Sequence, residues 1–129
     1  MVRLGRGARR GAPLAAAVLG AILVACGNTV PLHTATGPVQ ACDGAITSGR
    51  LTNNRPNGLA LQAPDGATTL VLWPFGYSTR GFVGSMELVD DQGRVIAREG
   101  DNVEVGGGMG GDGFFAACAG TIRVVPPGG

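Results

Sequence analysis

The chain has 129 residues, room for one domain, and 44% of them are hydrophobic, a globular rather than a disordered composition. Glycine is abundant at 24 residues and aromatics are scarce at 5%, which suits short strands and tight turns better than a helical bundle. Charge is uneven: Arg3, Arg6, Arg9 and Arg10 precede Cys26, whereas all nine acids follow it and face six arginines there, a side-chain charge of −3. A mildly acidic domain with no basic run and no lysine lacks the electrostatic footprint of a nucleic-acid binder, so no nucleic-acid partner is expected.

Residues 1–11 carry four arginines and no acid, and residues 12–25 carry no charge at all. This is the order of a signal peptide: a positive start, then an apolar helical run. The run is 14 residues long, short of the roughly 20 that span a bilayer as a helix. It ends in Leu23-Val24-Ala25-Cys26, which resembles the bacterial lipobox. The resemblance implies a diacylglyceryl group on the Cys26 thiol and cleavage just before it. Residues 1–25 are then a signal peptide, and the membrane is a partner through the lipid anchor. The protein belongs at the extracytoplasmic face of the cell membrane or in the periplasm.

Residues 26–41 read as the lipidated cysteine and a flexible tether, uncharged and punctuated by Pro31, Gly37 and Pro38. His33, the single histidine, falls in it and is expected to be a solvated linker residue. Once Cys26 is committed to lipid, Cys42 and Cys118 remain, an even number in an exported chain. The simple expectation is a Cys42–Cys118 disulfide across the domain; metal ligation and a redox pair are the alternatives.

From Cys42 the pattern is strand and turn. Strands are predicted over 45–51, 59–62, 68–73, 85–89, 94–98, 102–105, 114–118 and 121–125. The turns between them are marked by Pro56 and Gly58, by Pro64-Asp65-Gly66, by Asp90-Asp91-Gln92-Gly93 and by Glu99-Gly100-Asp101. No amphipathic helix is evident after the leader. The fold class is therefore all-β, most simply a small closed or partly open antiparallel barrel over 42–126, followed by a disordered tail at 127–129. Residues 94–107, Arg-Val-Ile-Ala-Arg-Glu-Gly-Asp-Asn-Val-Glu-Val-Gly-Gly, resemble the tight hairpins of OB-like barrels. A β-sandwich is the alternative.

Three motifs bear on chemistry. Gly107-Gly108-Met109-Gly110-Gly111-Asp112-Gly113-Phe114-Phe115 fits the calcium nonapeptide of RTX repeats, but one copy has no stacked neighbour to complete a coordination shell. A mobile glycine-rich hairpin loop is the expected form, with no metal and no cofactor. Trp73, Phe75 and Tyr77 alternate ahead of Arg80, so in an extended chain the rings share one face. They form either a candidate binding patch with Arg80 or the filling of the barrel. Catalytic constellations are thin, because His33 lies in the tether and Asp90-Asp91 sit in a turn where adjacent carboxylates are ordinarily solvated. No catalytic residue is assigned. A non-enzymatic lipoprotein that binds or scaffolds an envelope protein or glycan is expected, and a hydrolase built on Asp and Glu is the alternative.

Overall fold

The structure, a computed structural model, describes residues 31–38 and 42–127; the expected signal peptide over 1–25, Cys26 and the last two residues of the tail lie outside it. Nine strands follow in order: β1 (Ala45–Asn53), β2 (Leu59–Gln62), β3 (Thr68–Leu72), β4 (Ser78–Arg80), β5 (Glu87–Val89), β6 (Val95–Arg98), β7 (Asn102–Met109), β8 (Phe115–Ala117) and β9 (Arg123–Val124). Five of them close a ring, β1-β2-β3-β8-β7 and back to β1, and β9 is added outside β7. The fold is thus a closed barrel and not a sandwich. Closure leaves no open edge within the ring.

Closure depends on β1, whose length lets it serve two neighbours. Ala45 to Arg50 pair with β7, and Arg50 to Asn53 pair with β2. The strand turns from one partner to the other at Gly49, where a Cβ would lie 3.0 Å from the Gln62 carbonyl oxygen. One pairing departs from the antiparallel expectation: Val71 and Leu72 of β3 run parallel to Phe115 and Ala116 of β8. Parallel neighbours need a long crossover, and β4 to β7 supply it.

The strands β4, β5 and β6 form a separate antiparallel meander. Its inward residues Met86, Leu88 and Ala97 join one buried cluster with Leu51, Leu59, Leu61, Val71, Trp73, Val103, Val105 and Phe115. Barrel and meander therefore share a single core. Each large aliphatic side chain buried there contributes about 1.5–3 kcal/mol.

Local chemistry shapes the turns. Asp90 Oδ1 accepts the backbone N–H groups of Gln92 and Arg94 at 2.9 and 2.8 Å, and Gly93 takes φ +83° between them. This wraps the β5–β6 turn around the carboxylate. Asp65 does the same for the β2–β3 turn, accepting from Ala67 N–H at 2.9 Å.

Three expectations change. The strand β4 was not legible, because Ser78-Thr79-Arg80 offers no apolar alternation and pairs only through the meander. The mobile loop expected over the glycine string is largely strand: Gly106, Gly107, Gly108 and Met109 belong to β7, and only residues 110–113 turn. A Cβ at Gly107 would run into the Ala116 carbonyl, and one at Gly108 would collide with the Asp43 carboxylate. Strand glycines of this kind mark close backbone approach rather than flexibility.

The tether differs as well. Trp73 N–H donates to the His33 carbonyl and Ala35 N–H to the Trp73 carbonyl, both at 2.9 Å, with Thr34 bridging Trp73 in parallel. Leu32 packs against the core. The His33 ring stacks on Phe114 with centroids 4.3 Å apart. Residues 32–35 are thus a strap on the barrel wall, not a solvated linker.

Candidate functional site

Cys42, just before β1, and Cys118, just after β8, are joined in a disulfide with Cα atoms 5.9 Å apart. The bond fastens the entry of the barrel to its last ring strand. Beside it, Cys118 N–H donates to the Gly106 carbonyl at 2.9 Å. The Thr121 hydroxyl donates to the Cys118 carbonyl at 2.6 Å and accepts the Gly106 N–H at 3.1 Å. A Cβ at Gly106 would sit 3.0 Å from Thr121 Cβ, so glycine is what lets this segment close down.

The result is an open depression of about 350 Å³ whose lining includes Cys42, Asp43, Ile46, Glu104, Thr121 and Arg123. Ile46 stands 67% exposed at its rim. Arg123 Nε donates to Glu104 Oε1 at 2.9 Å and ties β9 to β7. An apolar side flanked by the Arg123–Glu104 pair and the Asp43 carboxylate suits an aliphatic or aromatic group with polar edges. Among the described residues no cluster of His, Cys, Asp and Glu could hold a metal ion.

The aromatic candidates do not form one surface patch. Trp73 is fully buried, and its indole N–H donates to the Leu59 carbonyl at 2.9 Å. Tyr77 is buried too. Desolvation pushes its phenol pKa above the ordinary value, the backbone hydrogen bond from Gly120 opposes this, and the Asp90 and Asp91 carboxylates reinforce it. Phe75 alone of the three rings is exposed, and Arg80 is held by Glu87. The alternation breaks because residues 74–77 turn, with Tyr77 N–H donating to the Pro74 carbonyl. Trp73 and Tyr77 belong to the buried core that barrel and meander share.

Several of the carboxylates that could serve hydrolysis are engaged. Asp90, expected to be solvated, is buried and also accepts from Arg94 Nε at 2.9 Å. Desolvation pushes its carboxyl pKa up. The backbone N–H groups of Arg94 and Gln92 and the Arg94 guanidinium outweigh this and hold it below the ordinary range. Glu87 lies between Arg80 and Arg98, at 3.0 and 3.1 Å. The Arg80 hydrogen bond is the main cause of its lowered pKa; desolvation opposes it and Arg98 adds to it. Glu99 Oε1 accepts the N–H groups of Gly84 and Met86. Asp112, the aspartate of the calcium-like string, accepts Phe114 N–H at 3.0 Å.

One feature escaped the sequence reading. Phe82 and Val83 project from the β4–β5 turn, 58% and 46% exposed. An apolar pair between Gly81 and Gly84 was the available signal, since a tip bounded by glycines has no interior to receive it. No family model, no curated protein and no solved structure matches the chain.

Proposed function

We propose that this protein is a membrane-anchored envelope lipoprotein whose small barrel is a non-enzymatic binding or scaffolding module. Cys26 carries the lipid, and the barrel stands at the extracytoplasmic face of the membrane or in the periplasm. The observation that carries this reading is the path of the chain behind the lipobox. Only four residues separate Cys26 from Pro31, and residues 32–35 are already hydrogen-bonded to Trp73. Whatever holds Cys26 holds the barrel with it. The disulfide supports export to an oxidising compartment.

The depression beside the disulfide is the surface offered to a protein or glycan partner. Against a hydrolase stands the engagement of Asp90, Glu87, Glu99 and Glu104, each committed to a turn or a cross-strand arginine. A general acid–base pair needs carboxylates free to take and release protons near a substrate.

The test is the intact mass of protein taken from native membranes and alkylated without reduction. The expected mass is that of residues 26–129 plus a diacylglyceryl group, with no alkylated thiol. An unlipidated or uncleaved mass overturns the anchor. For the module, a photocrosslinker in place of Ile46 should form a defined adduct in the envelope. The same crosslinker in place of Asp65, on the β2–β3 turn, should not. Equal yields from both positions remove the depression as the binding surface.

A further inference from the structure

We propose that the barrel rests on the bilayer through the end that carries the β4–β5 tip, with Phe82 and Val83 entering the headgroup–acyl boundary of a phospholipid surface. The inference rests on the lipid anchor at Cys26 and adds which face of the domain meets the lipid.

The tip is built to present these two side chains. Ser85 N–H donates to the Phe82 carbonyl at 2.9 Å, closing the turn. Gly84 N–H and Met86 N–H both donate to Glu99 Oε1, at 2.9 and 3.2 Å, and Glu99 N–H donates back to the Met86 carbonyl at 2.7 Å. Gly81 and Gly84 take φ +98° and +101°, conformations that suit glycine and fix the outward direction of the tip. A turn so braced keeps an adjacent aromatic and aliphatic pair in water unless something apolar covers them.

The exit of the tether adjoins the β1–β2 turn, which neighbours the tip. The Pro31 carbonyl oxygen sits 2.6 Å from where a Cβ of Gly58 would be. Gly58 accepts the Asn54 N–H at 2.7 Å and so closes the β1–β2 turn. Thr52, two residues before that turn, and Gly84 of the tip line one depression of about 190 Å³. Tether exit, β1–β2 turn and tip are therefore linked through neighbouring residues. Four residues join Cys26 to Pro31, and a fully extended chain covers about 17 Å over those five steps. That reach keeps this end close to the headgroups once Cys26 is lipidated.

Charge agrees. Arg80 stands next to the tip, paired like Arg98 with Glu87, and Arg50 lines the depression that Gly84 also lines. Arg55 is exposed on the β1–β2 turn, a cation available to an anionic headgroup phosphate where that turn meets lipid. An apolar tip flanked by arginine at the root of a lipid tether fits an interface between lipid and water.

The experiment uses the full-length chain, produced and purified as the lipoprotein. Val83→Cys and, separately, Phe82→Cys carry an environment-sensitive fluorophore; Asp65→Cys carries the same label as a distant control. Each is reconstituted into phosphatidylethanolamine–phosphatidylglycerol vesicles, checked for lipid by mass and floated on a gradient. Labels at 82 and 83 should shift to the blue and be quenched at least threefold more by spin-labelled lipid than the label at 65. Lipidated protein that floats while 82 and 83 remain as unquenched as 65 overturns the proposal and leaves the anchor intact. Shielding of 82 and 83 in native envelopes but not in vesicles also overturns it, because the cover is then a protein. Protein that lacks the lipid and does not float removes the anchor reading, and this inference falls with it.

Discussion

Asp90 illustrates how a single residue can be misjudged from its position. In sequence it is one of two adjacent turn acids, and nothing distinguishes it from exposed Asp91. In the fold it is buried, because its carboxylate takes the place of a turn's missing acceptor and is met by two backbone N–H groups and a guanidinium. Its pKa is held below the ordinary carboxylate range, so the unfolded chain binds the proton more tightly. The stability this provides is complete above the unfolded pKa near 4 and is lost as pH falls through the lower folded pKa. Glu87, also lowered, acts in the same sense. Asp90→Ala should therefore lower the Tm at neutral pH by several degrees. Its thermal unfolding should also depend less on pH between about 5 and 2 than that of the parent. Equal acid slopes in the two proteins would assign the acid limb to other groups.

At the scale of elements, turns were the legible part and glycines were not. The boundaries of β2 match because Pro56, Gly58 and Pro64-Asp65-Gly66 break the chain on both sides. A glycine's role in a strand is set by the backbone opposite it, which its own neighbours in sequence do not reveal. The run from Gly106 to Gly111 therefore divides unseen: three glycines lie in β7 against Thr121, Ala116 and Asp43, while Gly111 stands in the turn with nothing near. The division has a direct test. Gly107→Ala should destabilise by about 2–4 kcal/mol, because its methyl meets a backbone carbonyl in the β7–β8 ladder and no side chain can move to relieve it. Gly111→Ala should stay within about 0.5 kcal/mol of the parent. Denaturant titration of both variants separates a glycine strand from a glycine loop; equal effects would return the whole run to the loop.

At the scale of the molecule, closure has two fasteners of different visibility. The disulfide was legible by elimination and joins positions 76 apart in sequence. In the chain-entropy description a loop of that length stabilises by about 4.5 kcal/mol, a third or more of the stability of an ordinary domain. Reduction, or Cys42→Ala with Cys118→Ala, should lower the denaturant midpoint accordingly, and a change below about 1 kcal/mol would mean that the barrel closes without it. The strap was not legible. Pro31-Leu32-His33-Thr34-Ala35 has one aliphatic side chain, no alternation and no turn signal, so composition assigns it to the tether. What holds it is the backbone of Trp73, the residue after β3, whose N–H donates to the His33 carbonyl and whose carbonyl accepts from Ala35 N–H. Leu32 decides between strap and tether. If it packs on the core, Leu32→Ala should cost about 1–2 kcal/mol in the full chain, and the Trp73 amide should lose protection from hydrogen exchange. If residues 26–41 were free linker throughout, the same substitution would fall within about 0.5 kcal/mol and leave that amide unchanged. The outcome also bears on the proposed anchor: a packed Leu32 leaves only the residues before it to separate the barrel from a lipid on Cys26.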